Sequence, residues 1–149
     1  MSQQTPSPDV TALQTQITAF VRAFGLHQPD QTPCGRPIPV SEAHALMEIE
    51  RDGPLPQHEL ATRLRLEKST VSRLVSQLHG RGWIERGKRD GDARVIWLKL
   101  TDAGRTAATQ LATARTATFA ALLDAIPADK RDTVLDSITT LVEALRDHR

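Results

Sequence analysis

The chain has 149 residues, enough for one domain with a sizeable core or one domain with appended helices, and aliphatic side chains must fill that core because tyrosine is absent and aromatics are 3%. A formal charge of +1 hides an asymmetry: residues 63–105 hold 11 Lys/Arg against 5 Asp/Glu and the remainder 8 against 13, and such a locally basic stretch is the footprint of a polyanionic partner. The longest uncharged run, Val10 to Val21, is 12 residues, too short to span a membrane, and a single cysteine, Cys34, excludes an internal disulfide framework.

Met1 to Asp9 is rich in Ser, Gln, Thr and Pro and reads as a flexible tail. It lacks a basic region followed by an apolar stretch, so no secretory leader is read there and a cytoplasmic location is expected. Asp9 is the expected N-cap of a helix over residues 10–26, where Val10, Leu13, Ile17, Phe20, Val21 and Phe24 recur at helical spacing. Leu26 to Val40, broken by Pro33, Gly35, Pro37 and Pro39, reads as a long connection without structure of its own. Ser41 then caps a helix to about Arg51 that buries Ala45, Leu46 and Ile49, and Asp52-Gly53-Pro54 breaks it.

Two short helical patterns follow at close quarters. Gln57 to Leu64 places Leu60, Ala61 and Leu64 on one face, with Pro56 tolerated in the first helical turn. Lys68 to Gly80 places Val71, Leu74, Val75 and Leu78 at i, i+3, i+4 and i+7. Only Arg65, Leu66 and Glu67 turn the chain between them, and small Ala61 permits a steep, close crossing, which is the helix-turn-helix arrangement. The polar side of the second helix carries Lys68, Ser69, Thr70, Ser72, Arg73 and Gln77, with Arg81 after its end. Short hydroxyls beside free helix N–H groups suit phosphate oxygens, and Arg and Gln one or two turns on reach base edges bidentately in a major groove.

Trp83 to Arg86 and Arg94 to Leu100 read as two short strands. In the second, Ile96, Leu98 and Leu100 face one side and Val95, Trp97 and Lys99 the other. The polar stretch Gly87-Lys88-Arg89-Asp90-Gly91-Asp92-Ala93 between them is a turn, or wing. Thr101 is a good N-cap for a long Ala/Thr-rich helix over residues 102–123. Pro127 starts a last helix, in which Val134, Leu135, Ile138, Leu141, Val142 and Leu145 recur at near-heptad spacing. The fold class is mainly α with a small β-hairpin wing (α+β), a winged helix-turn-helix with added N- and C-terminal helices.

Several motifs in this stretch together resemble the MarR family of winged-helix transcription regulators. They are Glu59-Leu60-Ala61, Leu66 to Val75, Leu78, Gly82-Trp83-Ile84, Asp90-x-Asp92-x-Arg94 and Leu100-Thr101-x-x-Gly104. The resemblance is dense over about residues 40–105 and architectural outside it. It implies one domain over residues 10–149, with residues 41–101 as the DNA-binding lobe and residues 10–26 and 102–149 as helices of a homodimer interface. Two recognition helices related by a two-fold axis would address double-stranded DNA about one turn apart, so the expected operators are imperfect palindromes.

Within that frame Lys68, Ser69, Thr70, Ser72, Arg73 and Gln77 are the recognition-helix contacts, with Arg73 and Gln77 on base edges. Lys88, Arg89, Asp92 and Arg94 are the wing contacts. The resemblance gives Arg94 the minor groove and makes Asp92 the residue that holds it in place, while Lys68, Arg81 and Lys88 add sequence-independent attraction. It also implies a small organic effector, placed near Phe24, His44 and the second helix, and most often repression. Cys34, with Arg36 nearby, is the candidate for an alternative, redox-responsive regulator. His27, Cys34, Glu42 and His44 are competent metal ligands but follow no compact spacing, and His58, His79 and His148 read as exposed polar residues. No metal site, cofactor or catalytic set is expected: no Ser/His/Asp combination, phosphate-cradling glycine loop or paired-carboxylate motif is apparent. The remaining rival is a winged helix used for protein interaction without DNA, which has no need of the Ser/Thr/Arg/Gln face or of a basic wing.

Overall fold

The computed structural model describes residues 5–89 and 91–148 and divides into two compact units, residues 1–114 and 115–149. In the first unit the chain runs α1 (Pro8–Phe24), α2 (Val40–Asp52), β1 (Leu55–Pro56), α3 (Gln57–Leu64), α4 (Lys68–Gly80), β2 (Ile84–Arg89), β3 (Asp92–Leu100) and the start of α5 (Asp102–Ala125). The second unit holds the rest of α5, a 3-10 turn (Ala128–Lys130) and α6 (Arg131–Asp147).

The winged helix is built on an aliphatic core. Ala45, Leu46 and Ile49 of α2, Leu60 of α3, and Val71, Val75 and Leu78 of α4 meet Leu55, Ile84 and Leu98 from the three strands, all almost fully buried. Ala108 and Leu111 of α5 join them, as does Ile38. The expected periodicities of α2, α3 and α4 therefore match the faces that are buried. Arg65 closes α3 in the left-handed region (φ 54°), with its N–H donating to the carbonyls of Ala61 and Thr62, and Glu67 opens α4. The turn between the two helices is thus Arg65 to Glu67, as the sequence indicates.

The sheet departs from expectation. It has three antiparallel strands in the order β1-β3-β2, with Leu55 opposite Leu98 and Ile84 opposite Leu100. Pro56 is the N-cap of α3, which starts at Gln57 as expected, and it also belongs to β1, a strand that was not expected. The hairpin strands are longer than the hydrophobic alternation suggests, reaching Arg89 and Asp92, with an irregular register between Gly87 and Arg89. Backbone pairing extends through side chains that stay in solvent, so hydropathy does not mark it. Asp90, in the expected turn, lies outside the described residues.

Helix ends differ too. Ser7, not Asp9, caps α1: its hydroxyl accepts from the Val10 N–H at 3.3 Å, with Pro8 in the first turn. The helix therefore begins inside the expected tail, of which residues 1–4 lie outside the described residues. Gly25, at φ 86°, ends it in the left-handed conformation that glycine adopts freely. Ser41 lies in the first turn of α2 and caps nothing; Pro39 precedes the helix. The stretch expected to lack structure is a closed loop: Thr32, buried, takes the Arg36 N–H on its hydroxyl at 3.1 Å, and its own N–H donates to the Arg36 carbonyl at 2.9 Å. Pro127 precedes the 3-10 turn, and α6 starts only at Arg131.

Two polar features tie the winged helix together. Thr101 caps α5, accepting from the Gly104 N–H at 3.0 Å while donating to the Gly82 carbonyl at 2.6 Å. Gly104 is buried there, and the position demands glycine because a Cβ would run into the Trp83 carbonyl. Arg63 of α3 binds Glu48 and Asp52 of α2 at 3.2 and 2.6 Å and Glu59 of its own helix at 2.7 Å; Arg51 also reaches Glu48 and Asp52. Hydrogen bonds from Arg63 first, then Arg51, hold the Asp52 carboxyl below its ordinary value of 3.8.

Apolar side chains remain in solvent on α1 (Val10, Leu13, Ile17, Phe20), on the C-terminal part of α5 (Phe119, Leu122, Leu123) and on α6 (Leu135, Ile138, Val142, Leu145), each 39–57% exposed. No helix among the described residues is long and apolar enough to cross a membrane.

Gly104→Ala is expected to destabilise the protein by about 1–3 kcal/mol through overpacking, lowering the melting temperature by about 2–4 °C per kcal/mol at this size. An unchanged melting curve would refute the close approach to Trp83. Because the folded-state pKa of Asp52 is depressed, its stabilisation is complete above its unfolded value near 3.8. It fades as pH falls from there through the lower folded value. Denaturant midpoints from pH 6 to 2.5 should fall more for the wild type than for Arg63→Leu, which has less of this stabilisation to lose.

Candidate nucleic-acid interface

The residues expected on the polar side of α4 share one face because Val71, Leu74, Val75 and Leu78 turn the other into the core. Lys68, Ser69, Ser72, Arg73 and Gln77 are exposed and Thr70 is half-buried. None of the six side chains enters a hydrogen bond or ion pair among the described residues. Glu67, the N-cap, does not bond the first N–H groups of α4 through its side chain, so that end keeps free donors beside Ser69 and Thr70. A row of hydroxyl, guanidinium and carboxamide groups without internal partners, on a helix of 13 residues fixed by its apolar side, can meet an external surface of acceptors.

The charges of the wing have different surroundings. The Arg89 guanidinium lies over the Trp97 ring, 3.6 Å from its centre, a cation–π contact that occupies one face of the group. Lys88 and Arg94 are exposed and enter no ion pair among the described residues. Asp92 does not hold the Arg94 guanidinium: its carboxylate accepts from the Arg94 backbone N–H at 3.0 Å. This bond shapes the turn and leaves the side chain to extend. Glu85 and Lys99 pair across the base of the hairpin at 3.3 Å.

Arg81, expected to attract phosphate, is otherwise engaged. Its Nε donates to the Glu42 carboxylate at 2.9 Å, and its guanidinium lies 5.0 Å from the centre of the Trp83 ring. The Glu42 side chain is 3% exposed. A carboxylate in the first turn of α2 is thus buried and neutralised from the end of α4, a link that sequence reasoning missed; Glu42 on the buried side of an otherwise apolar helix face was the available signal.

The candidate effector and redox residues are not gathered in one place. His44 borders a hollow of about 380 Å³ together with Leu26, Ser41, Leu64 and Leu66. Phe24 stacks on Phe20 at 5.4 Å and does not line that hollow. Cys34, partly buried against the core, lies 2.8 Å from the Thr32 hydroxyl. The Arg36 guanidinium donates to the Gln110 side-chain oxygen of α5 at 2.9 Å. Among the described residues no three His, Cys, Asp or Glu side chains gather as a metal-binding set.

Residues 38–96 match the model of the MarR family. The chain is 26% identical over 95 residues to the uncharacterized HTH-type transcriptional regulator YwhA of Bacillus subtilis (strain 168), covering 64% of this chain and 68% of YwhA. It is 33% identical over 58 residues to the transcriptional repressor MprA of Escherichia coli (strain K12), covering 39% of this chain and 33% of that repressor. In structure it resembles Streptococcus pneumoniae FabT in complex with DNA, with a TM-score of 0.69 over 94% of each chain at 20% identity, a likeness of fold.

The two classes of cation should separate in a stability measurement that involves no ligand. Arg81→Ala leaves the buried Glu42 carboxylate unpaired and is expected to cost about 1–3 kcal/mol. Arg73→Ala, on the outer side of the same helix, should change stability by no more than about 0.5 kcal/mol. Equal effects in urea denaturation would overturn the division.

Proposed function

We propose that this chain, whose residues 38–96 match the MarR family model, is a member of that family and acts as a homodimeric repressor on a pseudo-palindromic operator, released by a small organic effector. DNA-binding regulation of transcription is the activity of the family. The observation that carries the reading to this chain is the outward row Lys68, Ser69, Thr70, Ser72, Arg73 and Gln77, without internal partners and on a rigidly seated helix. Arg73 and Gln77 read base edges in the major groove. Ser69, Thr70 and Ser72 meet phosphate or base near the helix start, and Lys88 and Arg94 reach from the wing, Arg94 into the minor groove. Lys68 adds attraction without sequence preference.

Homodimerisation is supported by the apolar side chains left in solvent on α1, α5 and α6. Effector release is supported by the hollow beside His44. It touches both the first turns of α2 and, through Leu64 and Leu66, the turn that sets α3 against α4. An occupant there bears on the angle of the recognition helix, and a small change of angle suffices to misalign two half-sites held at fixed spacing. The protein works where the DNA is, in the cytoplasm, and performs no catalysis.

Fluorescence anisotropy on a duplex from upstream of the protein's own gene, against scrambled DNA over a salt series, tests the reading. Expected is sequence-preferring binding that weakens by about 10³-fold or more between 50 and 200 mM salt. Arg94→Ala should lose that preference with an unchanged melting temperature. Leu135→Glu with Ile138→Glu should give monomers in sedimentation and abolish tight binding. Absence of binding to any duplex at low salt would exclude the regulator.

A further inference from the structure

Between the recognition helix and the wing lies a second hollow, of about 200 Å³, bordered by Gln57 and His58 at the start of α3, Lys68 at the start of α4, and Arg94 to Ile96 of β3. Its charged lining is of one sign. Lys68 and Arg94 are exposed, no carboxylate borders the cavity, and neither cation is in an ion pair among the described residues. The Gln57 carboxamide oxygen is buried and has no hydrogen-bond partner, the single such side-chain atom found among the described residues. With the oxygen on the buried side, the NH₂ is the end of the group left toward the hollow that Gln57 borders. The carboxamide can therefore present donors to whatever fills the space.

The geometry points to a seat for one phosphodiester of the DNA backbone, and this rests on the DNA-binding reading above. A protein that puts α4 into a major groove and its hairpin into the neighbouring minor groove straddles the sugar-phosphate strand that separates the two. That strand must pass between the start of α4 and β3. The structure has there a concave surface with cations and no anions, and not a flat one. We infer that His58 and Gln57 grip this phosphate together with Lys68, while Arg94 borders the seat on its way to the minor groove. His58 and Gln57 belong neither to the recognition helix nor to the wing. Gripping the strand between the two grooves fixes the depth and register at which both elements enter, without reading sequence.

The test uses the full-length protein and a duplex that it has enriched from a random pool, with a scrambled duplex of equal length. His58→Glu puts a carboxylate at the mouth of the seat, on an exposed residue, so the fold is expected to keep its melting temperature; Gln57→Ala is the milder companion. Expected is a loss of about tenfold or more for His58→Glu on both duplexes alike, since phosphate contacts carry no sequence preference. A neutral methylphosphonate is then walked along each strand of the enriched duplex. The wild type should show a penalty at one linkage per half-site, and at that linkage His58→Glu should lose its disadvantage because the repulsion is gone. The seat is overturned if His58→Glu binds as tightly as the wild type, or if its deficit is the same at every neutralised linkage. It is likewise overturned if the deficit falls on the enriched duplex alone. Failure of the wild type to bind either duplex would instead sink the DNA-binding reading and the seat with it.

Discussion

The angle and depth of the outward face of α4 depend on one apolar junction, where Leu60 of α3 and Val71, Val75 and Leu78 of α4 close on Leu46 and Ile49 of α2 and Leu98 of the sheet. These side chains are packed to exclusion of water and carry no polar atom, so nothing in the junction except volume and shape decides how the helices cross. The turn between α3 and α4 is short enough to demand a left-handed residue, and Arg65 occupies that conformation without being glycine. Such strain persists only where the surroundings over-determine it. Here the helices on both sides are locked by their buried faces. The direction of α4's outward face is thus a consequence of packing: its polar side chains have a defined direction because their apolar neighbours have no alternative.

Around that junction the cations divide into two populations. Arg51 and Arg63 are bound into carboxylates of α2 and α3, Arg81 neutralises Glu42, Lys99 pairs with Glu85, and Arg105 pairs with Asp102. These pairs link one element to the next or stiffen one from outside, and in most of them exposure to water keeps the individual contribution small. Arg63 is the exception in kind, because three carboxylates converge on a guanidinium that is only 25% exposed and joins two helices. By contrast Lys68, Arg73, Lys88 and Arg94 have no acidic partner among the described residues. The basic excess of residues 63–105 is therefore not spread evenly. Part is consumed by the fold, and the part left over lies on α4, on the wing and, as Arg65, in the turn before α4, where an external polyanion would find it.

Much of this was legible in the sequence, and the failures have a common cause. The faces of α2, α3 and α4 follow from 3.6-residue periodicity, and the Thr101 cap follows from a hydroxyl before a helical run. Both are local signals. What escaped were contacts between residues distant in sequence or without a hydropathic signature. Leu55 and Pro56 are too short a strand to show alternation, and a proline argues against one, so β1 exists only through its partner β3. The engagement of Arg81 by Glu42 spans 39 positions. Arg89 settles on Trp97 only because the hairpin pairs further out than its apolar residues indicate. Asp92 sits where the family pattern places it, yet bonds the backbone of Arg94, so a matched motif gave the position of the residue and not its bond.

A single α4 offers few side chains that reach base edges, and each good bidentate contact discriminates by about 1–3 kcal/mol. Against the many competing sites of a genome, one such helix selects poorly. Duplicating it by a two-fold axis doubles the reading without new sequence, provided that the two copies are held at a fixed separation. On the proposed reading that is the work of the apolar side chains exposed on α1, α5 and α6. Their coverage by a second copy returns about 25 cal/mol per Å² of apolar surface removed from water, less the cost of association. On that reading, affinity for DNA depends on residues that never touch it. The same rigidity makes control economical. When two half-sites must be engaged together, a ligand beside His44 need not block α4; it needs only to change the angle at which one helix leaves the apolar junction.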